Sequence, residues 1–109
     1  MRPASVDLVF RALADPTRRR VLDLLRDRVR SVSELQADFK ISQPALSRHL
    51  KVLRDAKLVM FRRTGRLNVY QLNAEPMEAV NDWMRHYENF WLQNFKNLDD
   101  VLAAQRKER

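Results

Sequence analysis

The run Ser42-Gln43-Pro44-Ala45-Leu46-Ser47-Arg48-His49-Leu50-Lys51-Val52-Leu53 carries most of the architectural information. Ser42 followed by Pro44 supplies a helix cap and a proline in the first turn, where the missing N–H costs nothing. Leu46, Leu50 and Leu53 recur at helical spacing and mark one buried stripe. Ser47, Arg48, Lys51 and Arg54 cannot share that stripe, so they lie toward solvent or a ligand. A helix is predicted over about 43–56.

Immediately upstream, Ser31-Val32-Ser33-Glu34 reads as a capping box, with the Ser31 hydroxyl and the Glu34 carboxylate each taking up a free backbone N–H. The short helix it opens should run to about Phe39, with Lys40-Ile41 as a tight connection. Two helices so joined make a helix-turn-helix. Farther upstream, Val6, Val9, Phe10, Leu13 and Ala14 give Ser5 to Ala14 the spacing of an amphipathic helix. Asp15-Pro16 ends it and caps the next, whose stripe is Val21, Leu22, Leu24, Leu25 and Val29.

Downstream, Leu58 to Arg63 and Leu67 to Leu72 read as strands around Thr64-Gly65-Arg66, with the chain's only glycine where a hairpin needs positive φ. A hairpin in this place, about 59–72, is a wing. Glu75-Pro76 opens a last helix over about 76–104. There Met77, Val80, Met84, Tyr87, Trp91, Phe95 (or Asn94), Leu98 and Leu102 form a heptad-like stripe that Trp83 and Phe90 widen. The expected fold is mainly α with a small β-hairpin, one winged helix-turn-helix domain over 1–109 with a core at 5–73.

Composition narrows the function. The 109 residues hold no cysteine, 21 Lys+Arg and 14 Asp+Glu, a net charge of +7. Residues 1–72 hold 16 Lys+Arg and 7 Asp+Glu, whereas 73–109 hold 5 and 7, so the basic charge belongs to the first part. A basic face of this kind suits nucleic acid, since neutralising phosphates releases counterions. The mean hydropathy of −0.54 and a longest uncharged run of only Leu67 to Ala74 argue against a membrane span. A charge precedes any signal-peptide core, and the absence of cysteine fits a reducing compartment, so the cytoplasm is the expected location. A single glycine excludes glycine-rich phosphate loops. Two histidines 37 positions apart, no cysteine and no nucleophile-elbow serine leave no basis for an enzyme.

Ala12-Leu13-Ala14-Asp15-Pro16-Thr17-Arg18-Arg19, the Ser42 to Leu53 run, and Gly65-Arg66 with Tyr70-Gln71-Leu72 together resemble the ArsR/SmtB family of bacterial winged-helix repressors, over roughly residues 5–73. The resemblance implies a homodimer joined by its first and last helices, presenting two recognition helices to a pseudo-palindromic operator in double-stranded DNA. On that view Val6, Val9, Phe10, Met77, Val80, Trp83, Met84, Tyr87, Phe90, Trp91, Phe95 and Leu98 form the dimer interface. Metal sensors of the family carry Cys-Val-Cys where this chain has Ser31-Val32-Ser33, and a hydroxyl cannot replace a thiolate toward soft metals. A second family metal position leaves Asp82, His86 and Glu88 to consider, an incomplete ligand set, so no metal and no cofactor are expected. The inducer is left open between a small apolar ligand near the aromatic helix and autoregulation by protein level.

For DNA contact, Gln43, Pro44, Ser47 and Arg48 are expected at base edges, Gln43 on adenine and Arg48 on guanine. Ser42 and Lys51, with Thr17 and Arg18 as weaker candidates, should hold phosphates. Arg62, Arg63 and Arg66 flank the wing tip, where an arginine enters a narrow minor groove. His49 is expected to pack and hydrogen-bond rather than read bases. The competing reading is a winged-helix protein-interaction module that presents its aromatic helix to a partner.

Overall fold

The computed structural model describes residues 3–107. Their elements run α1 (Pro3–Leu13), α2 (Pro16–Asp27), β1 (Arg30–Ser31), α3 (Val32–Ala37), α4 (Gln43–Asp55), β2 (Val59–Thr64), β3 (Leu67–Leu72) and α5 (Met77–Lys107). The strands form an antiparallel sheet in the order β1-β3-β2.

Local chemistry starts each central helix. Asp15 accepts from the Arg18 N–H at 3.1 Å and Pro16 follows in the first turn. Ser31 and Glu34 form the full reciprocal box, at 3.2 Å and 3.1 Å, and Ser42 accepts from the Ala45 N–H at 3.2 Å. The end of α4 is less expected. Lys57 takes φ 61° where glycine is usual, while Lys57 N–H bonds Arg54 C=O and Leu58 N–H bonds Leu53 C=O. These are the two bonds of a Schellman motif, and the buried Leu53 and Leu58 sit at its hydrophobic contact positions. Asn73 secures the same corner through Nδ2 to the Lys57 carbonyl at 2.8 Å.

The core gathers Val9 and Ala12 of α1, Val21, Leu22, Leu24 and Leu25 of α2, Leu35 of α3, Leu46, Leu50 and Leu53 of α4, and Val59 and Tyr70 of the hairpin. Four expectations need correction. Val29 lies beyond α2 and is exposed, because the chain has already turned extended at Arg28 to enter β1. The third helix ends at Ala37 rather than Phe39, and α1 begins at Pro3. The hairpin gains a third strand, since Arg30 and Ser31 pair with Tyr70 and Val69. Gly65 supplies the positive φ of 60° that the two-residue turn with Arg66 requires, and no atom lies within 4 Å of where its Cβ would stand.

The capping box of α3 has an acid signature. Arg28 Nη2 sits 2.6 Å from Glu34 Oε2, and this hydrogen bond, with that of the Ser31 N–H, lowers the Glu34 pKa to about 2 from 4.5. A carboxyl depressed on folding contributes stability in full above its unfolded pKa, and loses it as pH falls through the folded value. Glu34→Gln is therefore expected to flatten the acid limb of the unfolding profile between about pH 4.5 and about pH 2. Thermal unfolding across that window checks this, and an unchanged profile refutes it.

Candidate nucleic-acid interface

Helix α4 buries Leu46, Leu50 and Leu53 and turns Ser42, Gln43, Pro44, Ser47, Arg48, Lys51, Arg54 and Asp55 outward. Period 3.6 makes this one continuous polar face. Ser42 Oγ accepts from Ala45 N–H, yet its own hydroxyl hydrogen stays available to a phosphate beside the helix N-terminus. Lys51 Nζ lies 3.0 Å from Asp55 Oδ2, so its charge is shared along the helix. The Arg48 guanidinium makes no hydrogen bond or ion pair among the described residues.

Strand alternation separates two arginines that the sequence grouped. Arg63 lies on the same face of β2 as Val59 and Phe61, the face toward α4: Phe61 packs on Tyr70 with centroids 5.3 Å apart and carries the Arg54 guanidinium at 5.7 Å. Arg62 lies on the opposite face of β2, in a cleft lined also by Val29, Met60, Val69 and Gln71 and reached by Phe61. A one-residue step reverses the face, so Arg62 does not join α4 and Arg63 on one surface. Arg63 Nε lies 3.3 Å from the Gly65 carbonyl, and Arg66 is exposed at the turn.

Arg18 also departs from expectation. Its Nε donates to the Ala12 carbonyl at 2.8 Å and its Nη2 to the Arg11 carbonyl at 2.9 Å, while Nη1 lies 3.2 Å from His49 Nδ1. A guanidinium only donates, so Nδ1 accepts. The side chain thus satisfies open carbonyls at the end of α1 and ties them to α4, leaving little of its fork for a phosphate. His49 fills the packing role expected of it, half-buried, with Asp15 Oδ1 3.9 Å away. Burial pushes the Asp15 carboxyl up, but the N–H groups of Arg18 and Thr17 and the Arg18 charge outweigh that and hold it below its ordinary value. Thr17 is half-buried.

Helix α5 stands apart from this surface. Over 31 residues it extends about 46 Å, within a molecule 68 Å long. Trp83, Met84, Tyr87, Phe90, Trp91, Leu92 and Phe95 are all exposed, Phe90 by 63% and Phe95 by 64%. Phe10 of α1 meets Trp83 edge-on at 5.5 Å, and Trp83 meets Tyr87 at 5.1 Å. Val9, expected at a dimer interface, is 1% exposed and sealed in the core of its own chain, and Met77 and Val80 pack partly against that core. Val6 and Phe10 are half-buried. The side chain of Leu98 lies outside the described residues. His86 Nδ1 is 3.2 Å from the Trp83 carbonyl, and among the described residues no three His, Asp or Glu converge as Asp82, His86 and Glu88 would need to. Ser31 Oγ, at the first position of the family's thiolate motif, is taken up by the α3 cap.

Two contacts of α4 have no signature in the sequence. Arg54 sits on the wing through Phe61, and Arg11 of α1 shares a cleft with Arg48 and Lys51. Both depend on contacts between elements, for which spacing within one helix holds no signal.

Comparison with known proteins agrees with this geometry. The model of the bacterial regulatory protein arsR family matches residues 15–60, from the α2 cap into β2. The chain is 36% identical over 81 residues to the transcriptional repressor SdpR of Bacillus subtilis (strain 168), covering 74% of this chain and 90% of that protein. It is 40% identical over 101 residues to the HTH-type transcriptional regulator Rv2034 of Mycobacterium tuberculosis (strain ATCC 25618 / H37Rv), covering 93% and 92%. It also superposes on the crystal structure of an ArsR family transcriptional regulator, RHA00566, with a TM-score of 0.76 at 33% identity, covering 84% of this chain and 94% of that one. With its capped α4, hairpin wing and basic outer face, the chain belongs to the arsR family of bacterial regulatory proteins and has the winged helix-turn-helix of a DNA-binding transcriptional regulator.

Proposed function

We propose that the protein is a cytoplasmic, homodimeric repressor that binds a pseudo-palindromic operator in double-stranded DNA and acts by binding rather than catalysis. The observation that carries this reading is the outer face of α4, where Gln43, Ser47 and Arg48, unpaired among the described residues, stand exposed at the start of a helix that is buried behind. Gln43 has the amide geometry for adenine and Arg48 the fork for guanine, with Pro44 alongside. Ser42 and Lys51 serve phosphates, and Arg63 and Arg66 serve the wing. The relative SdpR, a transcriptional repressor, supports the sign of regulation.

In this reading the whole chain is one domain, a DNA-binding core over 5–73 and a dimerisation helix over 76–104. The interface draws on Phe10, Trp83, Met84, Tyr87, Phe90, Trp91 and Phe95, because α5 leaves these aromatics in water in a single copy. With no cysteine in the chain, the signal is not read through thiolates. A small apolar inducer bound near α5 fits the same surface.

The test is selection of binders from a random duplex pool by the purified protein. An inverted repeat with half-sites about one helical turn apart is expected. Recovery of no motif at physiological salt refutes the reading.

A further inference from the structure

The polar face of α4 has two flanks. On one side the wing rises, joined to the helix by Arg54 over Phe61, with Arg63 farther out. On the other side lies α1, where Leu8 and Arg11 face Arg48, Lys51, Val52 and Asp55 across an open cleft of about 300 Å³. Three cations and one carboxylate line it, and that carboxylate, Asp55, is already held by Lys51 at 3.0 Å. Among the described residues, neither the Arg11 nor the Arg48 guanidinium has a hydrogen bond or ion pair within the chain. With Arg48 assigned to a base, Arg11 is left beside the cleft as a forked cation without an anion among the described residues, which suits an anionic partner.

The main chain that presents Arg11 is fixed. Its carbonyl accepts from Ala14 N–H at 3.2 Å and from Arg18 Nη2 at 2.9 Å, and the same Arg18 guanidinium reaches His49 in α4. Arg11 is therefore held at a set position beside the helix proposed to read bases, by a bond network separate from its own side chain. A helix lying in the major groove, about 12 Å wide, has phosphates on both walls. With α4 in that groove, the wing flank would meet one wall and the α1 flank the other.

We propose that Arg11 is a DNA-binding residue, which seats a phosphodiester of the opposite wall at the mouth of the cleft between α1 and α4. This rests on the reading that α4 enters the major groove. Arg11 then contributes affinity and register, without sequence preference.

The experiment compares full-length wild type, Arg11→Ala, Arg11→Gln and Arg48→Ala by fluorescence anisotropy on the selected operator duplex and on a random-sequence duplex, over a range of KCl. Removing one phosphate-neutralising cation lowers the slope of log K against log salt by about 0.9, so about 1.8 for a dimer. Across a fourfold change in salt, either Arg11 variant should lose about twelvefold less affinity than wild type does. Operator and random duplex should weaken alike. Arg11→Gln keeps much of the aliphatic stem over the cleft, so agreement between the two variants separates the effect of charge from that of packing, and thermal unfolding checks that both are folded. An unchanged slope in both Arg11 variants, while Arg48→Ala lowers specificity, overturns this inference alone. If Arg48→Ala also leaves slope and specificity unchanged, the groove reading falls, and the assignment of Arg11 with it. A changed operator preference in the Arg11 variants, with the slope intact, also overturns it.

Discussion

Trp91→Ala is expected to weaken self-association of the chain by roughly a thousandfold and to lower DNA binding with it. Trp91 is 45% exposed in the single copy, between Met84 and Phe95 along the face of α5 that also carries Tyr87. A tryptophan at the centre of an aromatic contact surface costs about 2 kcal/mol or more when truncated. In a two-fold dimer the residue occurs twice, which gives about 4 kcal/mol and the thousandfold. Among the described residues Trp91 has no ring contact, whereas Trp83 already has Phe10 and Tyr87 as partners. Sedimentation of the variant should move from dimer toward monomer at micromolar concentration. Operator affinity should fall in parallel, because two half-sites bound by one dimer share a single loss of translational freedom. A variant that stays dimeric but loses DNA binding would assign α5 to another role.

The second large effect belongs to Arg48→Ala, and it differs in kind. Arg48 stands near the start of α4 with its guanidinium unpaired among the described residues, and the proposed bidentate contact to guanine would contribute about 1–3 kcal/mol of discrimination. Each half-site should lose at least about fivefold in preference, and the pair at least about thirtyfold. Affinity for random duplex should change far less. Competition between the selected operator and a random duplex measures the ratio directly. Equal weakening on both duplexes would make Arg48 a phosphate contact and move base reading to Gln43 and Ser47. The Arg11 variants give the opposite pattern, a changed salt slope with an unchanged ratio, so the two residues are separable on the same protein.

The parts of the site that were legible in the sequence are those whose determinants lie within one helical turn. Asp15, Ser31 and Ser42 each bond an N–H three residues on, and Leu46, Leu50 and Leu53 repeat at the helical period. The outer face of α4, with Ser42, Gln43, Pro44, Ser47, Arg48 and Lys51, follows from that stripe by geometry alone. The hairpin was legible for the same reason, since one glycine at positive φ sets its turn.

Other features depend on contacts across the chain. Arg18 looked like a surface cation near a helix start, but the end of α1 and His49, 31 positions away, converge on it and turn it into a tie between helices. Arg62 and Arg63 take opposite faces by strand alternation, but only the packing of the hairpin on α4 decides which of them turns to that side. Arg30 and Ser31 carry no strand signal, and β3 recruits them because its outer edge was open. Val9 looked suited to a partner, yet α2 and α4 close over it within the chain.

The division follows from the range of the forces. Short-range hydrogen bonds and side-chain periodicity are written in neighbouring residues, so the amino-acid order alone specified the capped helix-turn-helix, the glycine turn and the aromatic repeat of α5. Which cations remain free for an anion, and on which flank of α4 they stand, was settled by packing. A guanidinium spent on the carbonyls of Ala12 and Arg11 and one left open in the cleft beside Arg48 are the same residue type, told apart only by what the folded core brings next to them.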